Sequence, residues 1–178
     1  MNQDIDELLA QMTVEEKCAL LCGADFWHTA GCARLDIPAK MLTDGPCGLR
    51  KQYADADNLG INDSIPSVAF PTPATLACSF DVDLTREVGR AVGQECRAED
   101  VAVILGPAVN IKRSPLCGRN FEYLSEDPVL AGRLGAAWIE GESFEATGPS
   151  CETGRMPCYD IPEDPMNCVT GSHRSVRL

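Results

Sequence analysis

The sequence predicts an α/β fold built around a parallel β-sheet. The stretch "VAVILGP" at residues 101–107 is apolar without alternation, which is typical of a strand buried on both faces. A shorter apolar run lies earlier, within "AKMLTDGPCGLR" at 39–50. One segment of helical periodicity separates the two runs, and another follows the second. This order of strand, loop, helix, strand, loop and helix favours strands that run parallel.

Two short helices are predicted before the first strand. Apolar residues with helical spacing mark one face of the first, namely Ile5, Leu8, Leu9 and Met12. The second is predicted to begin at a capping box, in which Thr13 is followed three residues later by Glu16. We expect it to end at Gly23 and to bury a stripe of four residues: Val14, Cys18, Leu21 and Cys22.

The segment between the first strand and the next helix is predicted to be irregular. Residues 51–67 are polar and indicate a long surface loop. The following "AFPTPATLACSF" at 69–80 is predicted to be extended or irregular.

Two longer helices flank the second strand. The first is predicted at about 81–98, with an inward face made by Leu84, Val88, Ala91, Val92 and Cys96. Asp127 is the predicted N-cap of the last helix, and Pro128 lies in its first turn. The inner face of this helix is predicted to comprise Leu130, Leu134, Ala137, Trp138 and Gly141.

Charge and composition exclude several classes of function. A net charge of −12 argues against nucleic acid or an anionic membrane as partner. No apolar run approaches the roughly 18 residues that a membrane-spanning helix needs. The N-terminal "MNQDIDELLAQ" has neither a basic region nor an apolar core, so we expect a cytoplasmic protein. The ten cysteines include no C-x-x-C pair, which leaves a zinc site unsupported and favours reduced thiols.

Candidate binding residues follow both predicted strands. Asp44 precedes a Gly-Pro turn, and Arg50 lies where that turn can bring it back over the same edge of the sheet. Arg119 lies beyond the second strand. In parallel sheets the chemistry gathers at the carboxyl ends of the strands. A carboxylate that accepts hydroxyl hydrogen bonds and guanidinium groups that donate in a fixed fork together suit the vicinal hydroxyls of a sugar.

Structural interpretations of these three residues are also open. Asp44 before Gly-Pro fits a simple turn residue, and Arg50 fits a solvated surface arginine. Arg119 could form a buried ion pair with Glu122 or Asp127 that braces the loop.

Other candidate chemistry is weak. Lys112 and Arg113 have no glycine-rich cradle for a phosphate. The two histidines, His28 and His173, are far apart in sequence and have no nucleophile partner. Phe121 and Tyr123 could pack against the C–H face of a sugar or support the loop.

Several long motifs closely resemble the N-terminal domain of glycoside hydrolase family three, in its β-glucosidase branch. They are "MTVEEKCALLCG", "LTDGPCGLR", "AGRLGAAWIEG" and the long block that ends in "GPAVNIKRSPLCGRNFEYLSEDP". The resemblance covers residues 4–141 and implies part of a (β/α)8-type barrel. It also implies that Asp44, Arg50 and Arg119 bind the sugar where cleavage occurs. The family's retaining hydrolysis of β-glucosides or oligosaccharides uses an aspartate nucleophile and a glutamate acid/base, with no metal or cofactor.

The resemblance is lost after "AWIEG". The family continues to a Lys-His-Phe motif and then to its nucleophile, and neither occurs in this sequence. Residues 142–178 are aperiodic, and prolines, glycines and cysteines are scattered through them. We therefore predict a partial barrel domain at 1–141 and an irregular tail at 142–178, which a shift of reading frame would produce. The catalytic pair is expected to be absent and the chain alone inactive. The alternatives are a non-catalytic sugar-binding remnant and a cysteine-rich thiol- or metal-binding domain.

Overall fold

The computed structural model describes residues 5–53 and 62–145. Of the tail predicted at 142–178, residues 146–178 lie outside the described residues, and the last helix runs past the predicted boundary at 141. In chain order the elements are α1 (Ile5–Gln11), α2 (Val14–Leu20), a 3-10 turn (Ala33–Leu35), β1 (Leu42–Asp44), α3 (Pro73–Ala77), α4 (Val82–Ala98), β2 (Val103–Leu105) and α5 (Pro128–Glu145).

β1 and β2 pair in parallel, which confirms the predicted α/β class. The register pairs Leu42 with Val103, Thr43 with Ile104 and Asp44 with Leu105. α4 lies between the two strands in sequence, as a crossover connection between parallel neighbours requires. Both strands therefore end at the same edge, where Asp44 is the last residue of β1.

The two long helices begin and pack largely as the sequence predicts. The Asp81 side chain caps α4 by accepting from the backbone N–H groups of Asp83 and Leu84 at 2.9 and 3.0 Å. The Asp127 side chain caps α5 by accepting from the Val129 N–H at 2.9 Å. Both helices contribute to two apolar clusters. One is formed by Leu49, Val92, Cys96, Val101, Ile104 and Trp138, and the other by Ala77, Leu124, Ala131 and Leu134.

α4 and α5 cross with their backbones in direct contact. A Cβ added at Gly89 would lie 2.1 Å from the Trp138 carbonyl oxygen, and one at Gly141 would lie 2.0 Å from the Arg86 carbonyl oxygen. No real Cβ approaches a backbone atom so closely, so the glycines permit the crossing. The predicted inward position of Leu84 is wrong, since this side chain is 46% exposed. The small residues set the face that meets α5, and Leu84 lies outside it.

The predicted apolar stripe of α2 is wrong. Its four members are all exposed, and neither α1 nor α2 contains a buried residue. Met12, between the two helices, is the buried member of the predicted α1 face, whereas Ile5 is 72% exposed. The capping box is confirmed: the Thr13 hydroxyl accepts from the Glu16 N–H at 3.2 Å, and the Glu16 carboxylate accepts from the Thr13 N–H at 2.9 Å. Each helix has seven residues, and the capping box satisfies backbone groups at the start of α2.

The described parts of the segment between β1 and α4, 45–53 and 62–81, contain more structure than predicted. α3 forms within the stretch expected to be irregular, because Thr72 caps it and Pro73 occupies its first turn, where a missing N–H costs nothing. The predicted surface loop also reaches the core. Gln52 is buried and accepts from the Trp27 indole N–H at 3.0 Å, and Ile65 packs against the first apolar cluster.

Within the described ranges, no helix is both long and apolar enough to cross a membrane.

Gly141→Ala should destabilise the chain strongly. The new methyl group would overlap the α4 backbone, which cannot turn aside as a side chain can, so the helices must separate. We expect a loss of at least about 2 kcal/mol in the free energy of unfolding, measured by urea titration with tryptophan fluorescence. Gly132→Ala is the matched control, because a Cβ at Gly132 meets no atom within 4 Å. It should stabilise α5 by up to about 1 kcal/mol; equal effects of the two variants would contradict the backbone contact.

Glu142 should make stability fall with rising pH. This side chain on α5 is 5% exposed, and burial raises its pKa from 4.5 to about 7, with a smaller lowering by a hydrogen bond to the Ser143 side chain. Because the pKa of Glu142 is raised in the folded chain, its contribution to the free energy of unfolding is complete below pH 4.5 and is lost as pH rises through about 7. Glu142→Gln should therefore raise the free energy of unfolding at pH 8 by roughly 2–3 kcal/mol and change little at pH 4.

Glu140→Gln is the control for this titration. Glu140 lies on the same helix, is exposed, and pairs with Arg86 at 3.2 Å. Its loss should cost no more than about 1 kcal/mol, in the opposite direction. A Glu142→Gln variant whose stability follows the wild-type pH profile would show that Glu142 does not titrate with the fold.

Candidate functional site

The turn after β1 folds Arg50 back over Asp44. The Arg50 N–H donates to the Asp44 carbonyl at 3.0 Å, and the fully buried Thr43 hydroxyl donates to the Arg50 carbonyl. Gly48 closes the turn with φ 119°, and a Cβ there would lie 2.3 Å from the Val68 carbonyl oxygen. The backbone therefore fixes both residues of this predicted pair at the carboxyl end of the strand.

The side chains of this pair meet only loosely. Arg50 Nη1 lies 3.8 Å from Asp44 Oδ2, which is an ion pair but exceeds hydrogen-bond distance. The Asp44 side chain is 46% exposed and that of Arg50 is 49% exposed. Asp44 thus presents carboxylate oxygens to solvent at the strand end.

Arg119 lies on the loop that follows β2 and is held by its own neighbours. Its Nε donates to Glu122 Oε1, and the Glu122 N–H donates to the Arg119 carbonyl at 3.1 Å. The guanidinium carbon lies 5.8 Å from the centre of the Tyr123 ring. Glu122 is 7% exposed, whereas the Arg119 side chain is 51% exposed. The guanidinium is anchored on its inner side and open on its outer side.

Buried polar groups brace the same loop. Tyr123 is 3% exposed, and its hydroxyl accepts from the amide of the buried Asn110 at 3.2 Å. Asn120 donates to the Ser114 carbonyl at 2.7 Å. These hydrogen bonds connect the start of the loop after β2 with its end. They stabilise the segment that contains Arg119.

Four charges influence one another at this edge. Partial burial raises the pKa of Asp44, Arg50 lowers it, Glu122 raises it and Arg119 lowers it. The hydrogen bond to Glu122 raises the pKa of Arg119 in turn. Asp44 is therefore within electrostatic range of both arginines and of Glu122. This combination of carboxylates and guanidinium groups is suited to hydroxyl groups that both donate and accept.

The alternatives for Arg119 are now distinguished. Its ion-pair partner is Glu122, whereas Asp127 caps α5. The sequence predicts only a structural role for Glu122, although its i, i+3 spacing from Arg119 in "RNFE" is a visible signal of their pairing. Phe121 is 57% exposed and belongs to neither apolar cluster of the described residues.

No metal centre is formed in the part of the chain that the structure describes. No group of three or more His, Cys, Asp or Glu side chains there is arranged to hold an ion. No disulfide bond is formed by the described cysteines, which are Cys18, Cys22, Cys32, Cys47, Cys78, Cys96 and Cys117. His28 pairs with Asp25 at 2.8 Å, and His173 lies outside the described residues.

Comparison with known sequences gives a consistent result. Residues 40–147 match the model of the glycosyl hydrolase family 3 N-terminal domain. The chain is 55% identical over 148 residues to thermostable β-glucosidase B of Acetivibrio thermocellus, covering 83% of this chain and 20% of that protein. It is 46% identical over 151 residues to an exo-α-(1→6)-L-arabinopyranosidase of Bifidobacterium longum, covering 84% and 20% respectively. The chain spans about a fifth of the length of these curated relatives.

Comparison with solved structures agrees. β-Glucosidase 3B from Thermotoga neapolitana in complex with glucose superposes with a TM-score of 0.72 at 37% identity, over 82% of this chain and 22% of that one. The β-glucosidase from Kluyveromyces marxianus in complex with glucose gives a TM-score of 0.73 at 41% identity, over 80% and 16%.

The environment of Asp44 can be tested by titration. Because Arg50 lowers the pKa of Asp44 against the effect of burial, Arg50→Gln should raise that pKa further. Carboxyl carbon chemical shifts measured against pH should show Asp44 titrating at a higher pH than an ordinary aspartate, and higher again in the variant. Arg133→Gln is the control, since Arg133 is exposed on α5. A titration midpoint that Arg50→Gln leaves in place would refute the ion pair.

Proposed function

We propose that the chain, which belongs to glycosyl hydrolase family 3 through its N-terminal domain, is part of a β-glucosidase-type hydrolase. The sugar of a β-glucoside binds at the β1–β2 edge, which is the edge of the sheet where both strands end. One observation supports the proposal: Arg50 pairs with Asp44 at the end of β1, and Arg119, on the loop after β2, is near enough to Asp44 to lower its pKa. The relatives include β-glucosidases solved with glucose, which supports a sugar as the ligand.

The charges at this edge fit the hydroxyl groups of a pyranose. Asp44 offers exposed carboxylate oxygens, each able to accept from a sugar hydroxyl. The guanidinium of Arg119 can donate two parallel hydrogen bonds to adjacent sugar oxygens. Arg50 lowers the pKa of Asp44 against the effect of burial, which favours the charged carboxylate. Charged hydrogen bonds of this kind contribute about 1.5–3 kcal/mol each.

The same reasoning assigns binding rather than bond cleavage to this chain by itself. A retaining glycosidase needs a nucleophile and an acid/base whose carboxyl groups lie about 5–5.5 Å apart across the bond. Of the two carboxylates at the edge, Asp44 faces Arg50 and Glu122 is buried against Arg119. We infer that the catalytic pair comes from outside the described residues, and that β1 and β2 are strands of a (β/α)8-type barrel that the chain forms only in part.

Sugar binding is the decisive measurement. Titration of the isotope-labelled chain with glucose should shift resonances of the β1–β2 edge saturably, without release of nitrophenol from an aryl β-glucoside. Asp44→Ala and Arg119→Ala should each weaken binding roughly tenfold to a few hundredfold. Arg119→Lys should rescue little, because a point charge cannot replace the planar fork. L-Arabinose, titrated in parallel, tests whether the edge prefers the sugar of the arabinopyranosidase relative.

Arg133→Ala is the matched control for these variants. Arg133 is an exposed arginine on α5 and is not among the charges that act on Asp44, so its loss should leave the affinity for glucose unchanged. Melting curves for every variant separate lost binding from lost folding. Full affinity in a well-folded Asp44→Ala variant would reduce Asp44 to a turn residue and remove the basis of the proposal.

A further inference from the structure

We propose that Glu122 is a positioning residue, which holds the guanidinium of Arg119 by its Nε so that the edge formed by its two terminal nitrogens faces the sugar. This inference rests on the proposed sugar-binding function and assigns different roles to the two carboxylates, Asp44 and Glu122. One carboxylate at the edge contacts the ligand, and the other orients the arginine.

The hydrogen bonding of Arg119 carries the inference. Its Nε donates to Glu122 Oε1, and within the described part of the chain its two terminal nitrogens make no hydrogen bond. A carboxylate that served only to neutralise the charge could occupy the terminal edge, where two parallel hydrogen bonds form. Contact at Nε instead leaves that bidentate edge open.

The unequal burial of the pair points the same way. Glu122 is 7% exposed, whereas the Arg119 side chain is 51% exposed. Here the costly buried charge belongs to the carboxylate, and the guanidinium extends from it into solvent.

Two further contacts restrict the guanidinium. The Glu122 N–H donates to the Arg119 carbonyl at 3.1 Å, which fixes the backbone between the two residues. The Tyr123 ring lies 5.8 Å from the guanidinium carbon, and its hydroxyl is held by Asn110. The inner edge and the side of the guanidinium toward Tyr123 are thus occupied by protein. Preorganisation of this kind lowers the entropy lost when a ligand binds.

Asp44 does not share this role. Its carboxylate is 46% exposed, and its distance of 3.8 Å from Arg50 is too long for a hydrogen bond. The exposed carboxylate remains available to ligand hydroxyls, while the buried one is committed to a side chain.

The test compares Glu122→Gln with Glu126→Gln, the same substitution at an exposed glutamate on the same loop. The first readout is solvent exchange of the Arg119 Nε–H, assigned by nitrogen-15 NMR from its disappearance in Arg119→Lys. It should exchange slowly in the wild type and in Glu126→Gln, and at least about tenfold faster in Glu122→Gln, whose neutral amide is a weaker acceptor. The second readout is the dissociation constant for glucose, which should rise roughly fivefold to fiftyfold in Glu122→Gln only.

The outcomes separate this inference from the proposed function. Wild-type glucose binding with unchanged affinity in a folded Glu122→Gln variant overturns the positioning role and leaves the sugar site standing. A slow Arg119 Nε–H in a wild-type chain that binds no glucose overturns the sugar site, and the positioning role falls with it. Fast exchange of this N–H in the wild type overturns the inference without any variant. The inference can therefore be tested even if the Glu122→Gln chain fails to fold.

Discussion

The parallel pairing of β1 with β2 is the constraint on which the site depends. The two strands are paired over only three residues each, yet this register places the end of β1 and the start of the β2 loop at one edge. Asp44 and Arg119 are 75 positions apart in the sequence (119 − 44). A slip of one residue would turn the buried Thr43 outward and Asp44 toward the core, because side chains alternate across a strand.

The helices support this pairing through the crossing of α4 and α5. The α4 crossover returns the chain to the sheet, and α5 packs on it through close glycine contacts as well as through the side chains of the first apolar cluster. Trp138 links the helix pair to the sheet. Its backbone contacts Gly89 of α4, and its side chain belongs to the same apolar cluster as Ile104 of β2. The position of the strand, and of the loop beyond it, therefore follows from how closely the helices approach.

The sequence allowed the chemistry of the site to be predicted more fully than the packing around it. Asp44, Arg50 and Arg119 could be located because turn signals and the ends of apolar runs are local features. The positioning role proposed for Glu122 could not be predicted from the sequence, because it depends on which edge of the guanidinium is occupied and on how deeply each partner is buried. Leu84 was misplaced because apolar periodicity assumes that large side chains mark the inner face, whereas this interface is made by glycines. The predicted burial of the α2 stripe is wrong because helical spacing predicts an apolar face, but it does not predict whether another element packs against that face.

The glycine contacts between α4 and α5 limit how this pair of helices can change during evolution. When a large side chain fills a core, a damaging substitution can be offset by trimming the residue opposite. At Gly89 and Gly141 the opposing atoms are the carbonyl oxygens of Trp138 and Arg86, which every amino acid retains. No single replacement of an opposing side chain can make room for a methyl group there. A genetic search for suppressors of Gly141→Ala should therefore recover reversion or changes that shift a whole helix, and no compensating partner at position 86.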